Sequence, residues 1–247
     1  MTFKPDSDIP PNTFPANAPR LWAVVPAAGS GRRFGGEIPK QYLTLLGQPV
    51  MLHSIDRLFA LPLAGCVVAI SADDTTAASL PYLRADKLHF VPGGAERMDS
   101  VLAGLDYLTA HAADDDWVLV HDVARPCISA LSLDHLWQSA ISQGVGAILA
   151  IPVRDTLKRA AGQHIAATVP REHLWQAQTP QLFRFAALRS ALLHARDSGL
   201  QVTDEASAME HAGHPVLLVE GRADNIKITY PDDLQLATAI MQAQSSL

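Results

Sequence analysis

Between Val24 and Tyr42 the chain reads VVPAAGSGRRFGGEIPKQY, passing within two residues from a run fit for a buried strand to turn-forming and then cationic positions. Gly29, Ser30 and Gly31 allow the backbone to approach a ligand and turn its N–H groups inward. Arg32, Arg33 and Lys40 add positive charge beside them. Such a loop suits a large anion that needs backbone donors and cations together. It is not a P-loop, because Lys40 lies between Pro39 and Gln41 rather than after a glycine. Nor does it complete the dinucleotide pattern, which begins at Gly29 and Gly31 but meets Phe34 in the third glycine position. With two arginines inside and a lysine beyond, it is built for more negative charge than a dinucleotide pyrophosphate carries.

A loop of this kind must be held by elements that end beside it. Apolar runs at 21–28, 65–71, 87–92, 116–122, 146–153 and 215–221 read as strands. Helical patterns lie between them near 47–60, 97–111, 132–143 and 183–197. Near-continuous apolar strands alternating with helices predict an α/β fold, a mostly parallel sheet covered on both faces. Ligands of such sheets bind beyond the carboxyl ends of the strands. The first strand ends in the glycine loop, the third in PGGAERMDS (92–100), the fourth in HDVARP (121–126) and the fifth in PVRDTLKRA (152–160). An aspartate at one strand end commonly caps a helix; four polar strand ends along one edge point to a site.

Composition narrows what that site serves. Among 247 residues, 48% are hydrophobic and 18% charged, enough to bury a full core, and the net charge is −6. An acidic chain is a poor general nucleic-acid binder, so no nucleic-acid partner is expected. Cys66 and Cys127 alone are too few for a disulfide framework or a zinc site, and Cys127 reads as packing. No apolar run reaches membrane-span length and the N-terminus lacks the apolar stretch of a signal peptide, so no membrane partner and a cytoplasmic location are expected. Residues 1–20 carry five prolines and read as a disordered or extended leader before a single domain over 21–247.

The motifs PAAGSGRRFGGEIPKQY, VPGGAERMDSVLAGL, VLVHDVARP, TPQLF, TDEASAME and VEGRADNIKIT, in this order and spacing, resemble the 2-C-methyl-D-erythritol 4-phosphate cytidylyltransferase family. The resemblance runs from Leu21 onward, with Ala95 where some relatives carry Asp and Val123 where many carry Ala. It implies a Rossmann-like nucleotidyltransferase fold with a protruding β-arm hairpin, and a step of the non-mevalonate isoprenoid pathway. In that reaction CMP passes from CTP to 2-C-methyl-D-erythritol 4-phosphate, giving 4-diphosphocytidyl-2-C-methyl-D-erythritol and pyrophosphate, with Mg2+ shielding the triphosphate.

The resemblance also implies roles, residue by residue. Ala27, Ala28, Gly29, Ser30 and Gly31 cradle the triphosphate, and Arg33 and Lys40 are cations around the α-phosphate, with Arg32 facing solvent. Gly94, Arg97 and Ser100 belong to the loop that meets cytosine and ribose. Asp122 interacts with Mg2+ and substrate, and Arg125 beside it meets the sugar phosphate. The polar turn Ala161–Gly162–Gln163 makes 155–175 hairpin-like. The resemblance makes this hairpin a homodimer arm that carries Thr156 and Arg171 into the partner's site. Thr179, Thr203 and Lys227 come from later loops, Lys227 holding the attacking phosphate with the arm arginine. Thr203 also reads as a helix N-cap. Two other readings stay open at this point: a cytidylyltransferase for another alditol phosphate such as ribitol 5-phosphate, and a nucleotide-binding regulatory module without turnover.

Overall fold

A computed structural model describes residues 18–29 and 38–245. The chain opens with β1 (Leu21–Pro26), followed by a short ribbon of β2 (Thr44–Leu45) and β3 (Gln48–Pro49), then α1 (Val50–Leu58) and β4 (Leu63–Ile70). Next come β5 (Leu88–Pro92), α2 (Arg97–Leu108), β6 (Trp117–Val120), α3 (Ala130–Gln143) and β7 (Gly146–Pro152). A hairpin of β8 (Leu157–Ala161) and β9 (His164–Val169) leads into β10 (Trp175–Arg184). The chain closes with α4 (Phe185–Asp197), α5 (Glu205–His211), β11 (Val216–Glu220) and α6 (Pro231–Gln244). No helix among the described residues is long and apolar enough to cross a membrane.

The strand LWAVVP divides the core by simple alternation. Leu21, Ala23 and Val25 pack on one face of the sheet with Met51, Leu52 and Ile55 of α1 and Leu133, Leu136 and Trp137 of α3. Trp22 and Val24 pack on the other with Val101, Leu102 and Leu105 of α2, Leu188 of α4 and Met209 of α5. The seven-stranded sheet runs β11-β7-β10-β6-β1-β4-β5, every pairing parallel except the two made by β10. Both β4 and β6 flank β1, so the order reverses there and opens a crevice at the carboxyl ends of β1 and β6.

The expected strands and helices are present, and the differences include the following three. β10 is not among the expected strands; it holds Pro180 and three glutamines, yet lies in the middle of the sheet. The proline is accommodated because Ala177 pairs with Ala150 and the next partners are Gln181 and Ile148, leaving Gln178–Pro180 bulged out of the ladder. α6 is likewise absent from the expected helices, although Pro231 at its start and Asp232 and Asp233 in its first turn are ordinary start signals. α5 begins one residue later than a Thr203 cap would place it: Asp204 is the N-cap and its side chain accepts from Ser207 N–H (3.0 Å). Residues 1–17 of the expected leader lie outside the described residues, whereas Arg20 is tied to the body.

That tie is Asp116, which accepts from Arg20 N–H (2.7 Å), Arg20 Nε (3.1 Å), Trp22 Nε1 (3.0 Å) and Ala113 N–H (3.0 Å). Burial pushes the carboxyl up, but these donors outweigh it and hold the pKa below the ordinary carboxylate value. A depressed folded pKa means that the contribution is complete above pH about 4 and fades as acid reaches the lowered value. Asp116→Asn should therefore cost about 1–3 kcal/mol at neutral pH by urea denaturation and cost less at pH 3. An unchanged midpoint at pH 7 would show that the cluster contributes nothing.

Candidate active site

At the end of β1 the backbone is pinned on both sides: Ala27 N–H donates to Ala69 carbonyl (2.7 Å) and Ala27 carbonyl accepts from Gln41 Nε2 (3.1 Å). Gln41 belongs to the 3-10 turn Lys40–Tyr42, so this bond fixes the position of Lys40. Beyond β5, Gly93 N–H donates to Ile70 carbonyl (2.7 Å). A methyl group on Gly93 would lie 2.5 Å from Ala28 Cβ and 2.8 Å from Ser100 Oγ, so the two loops abut because residue 93 has no side chain. Ser100 Oγ then accepts from Gly94 N–H (3.2 Å) and fixes the turn into α2. Ile228 N–H donates to Ala124 carbonyl (2.8 Å), and Ile228 carbonyl accepts from Lys40 Nζ (3.4 Å). This draws the Lys227 loop over the crevice.

The result is a cavity of about 290 Å³ at the reversal of strand order. It is bordered by Ala27, Ala28, Gly29, Lys40, Gly94, Arg97, Ser100, Asp122 and Lys227 of the expected set, and by Ala95 and Val123. Its ionisable lining is Lys40, Arg97 and Lys227 against Glu96 and Asp122, positive on balance in a chain of charge −6. Arg33, Ser30 and Gly31 lie outside the described residues, as does Arg32. Thr156, Arg171 and Thr203 are exposed and do not border this cavity. Arg171 donates to the Arg154 carbonyl at the root of the hairpin.

Asp122, 7% exposed, organises the cations. Its Oδ1 accepts from Arg97 Nε (2.9 Å), its Oδ2 meets Lys227 Nζ (2.7 Å), and Arg125 Nε stands 3.8 Å from Oδ2. Burial opposes ionisation, yet the Arg97 guanidinium and the Lys227 ammonium hold the carboxyl well below the usual carboxylate range. Arg97 also forks onto Glu205, Nη1 to Oε1 at 2.6 Å and Nη2 to Oε2 at 3.0 Å. Arg125 is mostly buried behind Asp122 and donates to Asn225 carbonyl (2.7 Å).

Thr179 was expected from a loop; it lies instead on the bulge of β10, where its Oγ1 accepts from Asp122 N–H (3.0 Å). Its own proton is then directed at His121 Nδ1 (3.1 Å), and His121 Nε2 faces Arg125 carbonyl (3.1 Å) as a donor. Burial lowers the His121 pKa to about 4, so this neutral tautomer holds at pH 7. Glu205, Gln41 and His121 are site-building residues that the sequence reading missed. Glu205 lies inside the noted TDEASA motif, but its partner is 108 positions away. Cys127 packs with Leu45, Val50 and Ile228 and its thiol is pushed up to about 11 by burial, so it is packing and not a nucleophile. Among the described residues no group of three His, Cys, Asp or Glu is placed to cage a metal ion.

Among the described residues the arrangement holds charge and presents no activated covalent nucleophile, which suits transfer between phosphates. Residues 21–243 match the family described as IspD, 2-C-methyl-D-erythritol 4-phosphate cytidylyltransferase. The chain is 51% identical over 228 residues to the 2-C-methyl-D-erythritol 4-phosphate cytidylyltransferase of Acinetobacter baylyi, covering 92% of this chain and 95% of that protein. It is 54% identical over 231 residues to the enzyme of that description from Halorhodospira halophila, covering 91% and 95%. The crystal structure of the Francisella tularensis 2-C-methyl-D-erythritol 4-phosphate cytidylyltransferase is similar with a TM-score of 0.78 at 35% identity, covering 90% of this chain and 99% of that one. With its fold, its motifs and nearly its whole length matched, this chain belongs to the 2-C-methyl-D-erythritol 4-phosphate cytidylyltransferase family.

Proposed function

We propose that the chain transfers CMP from CTP to 2-C-methyl-D-erythritol 4-phosphate. A phosphate oxygen of the sugar attacks the α-phosphorus, the bond from that phosphorus to the bridging oxygen breaks, and pyrophosphate leaves with the bond electrons. The observation that carries this reading is the ring of Arg97, Lys227 and Arg125 around buried Asp122 beside a backbone-lined crevice. The substrate phosphate is ionised at neutral pH, so no base is required. Two polyanions must be brought together and the charge on the pentavalent phosphorus stabilised, which is work for positioned cations and N–H donors.

The backbone at Ala27–Gly29, continued by Ser30 and Gly31, receives the triphosphate, and Arg33 and Lys40 flank the α-phosphorus. Lys227 and the arm arginine Arg171 hold the sugar phosphate in line, and Arg125 meets it from behind Asp122. The loop of Gly94, Arg97 and Ser100 meets the nucleoside. Asp122 is a single carboxylate whose two oxygens already accept cationic donors. Each oxygen keeps a second lone pair, through which Asp122 would take one further contact from a magnesium ion carried in on the triphosphate. When bound, that ion supplies charge neutralisation on the triphosphate. Arg171 and Thr156 complete the site from the arm of a second copy, and Thr203 faces the same substrate side.

The test is pyrophosphate release with CTP, UTP, ATP and GTP against 2-C-methyl-D-erythritol 4-phosphate and ribitol 5-phosphate. A site that pairs the amino and carbonyl edge of cytosine leaves polar atoms unmatched with uracil, so kcat/KM for CTP should exceed that for UTP by at least about tenfold. The methylerythritol phosphate should be the better acceptor. Equal use of CTP and UTP would remove cytosine selection, and preference for ribitol 5-phosphate would change the substrate.

A further inference from the structure

Glu205 is 1% exposed at the first position of α5, outside the cavity lining, and both its oxygens are taken by the terminal nitrogens of Arg97. A carboxylate in that setting has an ordinary explanation: it neutralises Arg97 and docks α5 on α2. The geometry goes further. The guanidinium is planar and its donors are fixed relative to one another, so the fork at Glu205 also sets where Nε points. Nε meets Asp122 Oδ1 at 2.9 Å, which sets the rotation of that carboxylate. The other oxygen then faces Lys227 Nζ at 2.7 Å. Charges alternate along this row, each fixing the next, from α5 to the loop after β11.

We propose that Glu205 is a positioning residue for Lys227, acting through Arg97 and Asp122. The proposal rests on the reading of the site as one that transfers CMP to a sugar phosphate. In Glu205→Gln the amide offers one acceptor and turns a donor toward the second Arg97 nitrogen. Arg97 then turns its fork to Asp122, which has two oxygens to offer, and takes the one that Lys227 uses. Lys227 keeps its charge but loses its place.

A double-mutant cycle separates this from simple docking of α5. With CTP saturating and 2-C-methyl-D-erythritol 4-phosphate varied, Glu205→Gln should lower kcat/KM about 30-fold in the native background and less than about threefold in Lys227→Ala. Residues that act through one another are non-additive, whereas a general loosening of α5 takes the same factor from both backgrounds. Equal losses in the two backgrounds overturn the proposal, and so does a Glu205→Gln protein as active as wild type. If Glu205→Gln does not fold by thermal melting, Glu205→Asp keeps the charge one methylene short of Arg97. It should show a smaller loss with the same dependence on Lys227, and an equal loss in both backgrounds overturns the proposal there as well. Absence of CMP transfer by the wild-type protein would instead sink the functional reading, and that control is independent of the cycle.

Discussion

Lys40→Ala lowers kcat by about 100- to 1000-fold while the affinity for CTP falls less than about tenfold. The asymmetry follows from where the ammonium is held. Lys40 sits on a 3-10 turn whose next residue, Gln41, is bonded to the carbonyl of Ala27 at the end of β1. Its Nζ lies 3.4 Å from Ile228 carbonyl, on the loop that carries Lys227. The charge is thus placed before substrate arrives, between the end of β1 and the loop that carries Lys227, where the proposed function sets the two phosphates. A cation fixed there gains most from the charge that develops when the phosphorus becomes pentavalent, because no reorganisation is required at that moment. In the proposed site, ground-state CTP keeps the backbone donors of Ala27–Gly29, so its binding should suffer less. Steady-state kinetics with CTP titration by calorimetry measure the two effects separately. Turnover within a few-fold of wild type would remove Lys40 from the chemistry, and a loss confined to CTP affinity would make it a binding residue only.

Mixing Lys40→Ala protein with Arg171→Ala protein restores activity to about a quarter of wild type, although each alone is nearly inactive. Among the described residues β8 and β9 pair only with each other, and nearly every residue on them is exposed, including Ile165 at 69%. An isolated two-stranded ribbon is marginal in water, so a hairpin like this is better accounted for by a surface to rest on. Arg171 lies at its return, exposed and away from the cavity of its own chain. In a symmetric dimer each arm serves the other site. A hybrid of the two variants therefore carries both lesions at one site and none at the other. Random exchange makes about half of the dimers hybrids, each with one working site of two, which gives the quarter. Exchange without recovery would place Lys40 and Arg171 in the same site from the same chain. A monomer by sedimentation at assay concentration would end the arm proposal.

Most of the sheet was legible because its strands are buried on both faces and read as apolar runs, and the polar ends of those runs marked the crevice. β10 was illegible for the opposite reason. Its glutamines and proline argue against a central strand, and only the bulge at Gln178–Pro180 explains them. The hairpin turn was legible from Gly162, whose φ of 61° suits a two-residue connection between Ala161 and His164. Residues whose placement is local, such as Gly29 and Gly94, were expected at the strand ends from motif chemistry and border the cavity. Glu205 could not be placed this way, because a buried carboxylate and a helix-start carboxylate are the same letter until the arginine 108 positions away is brought to it.

The hairpin leaves the sheet on β7 and returns on β10, and Pro152 and Trp175, where it departs and comes back, are register partners in adjacent strands. An excursion whose two ends lie side by side can be lengthened, shortened or rewritten without moving any strand of the body. The body's alphabet of apolar runs is closely constrained by packing, while the ribbon between those two residues, Thr156 and Arg171 apart, answers to whatever it rests against. Across a lineage, drift in this stretch outside Thr156 and Arg171 would be tolerated by folding and, in the proposed dimer, screened by the neighbouring copy. Two diverged copies of the gene in one cell could then cease to pair with each other while each kept an unchanged catalytic floor. Insulation between paralogues would thus need only changes within a ribbon that the sheet does not feel.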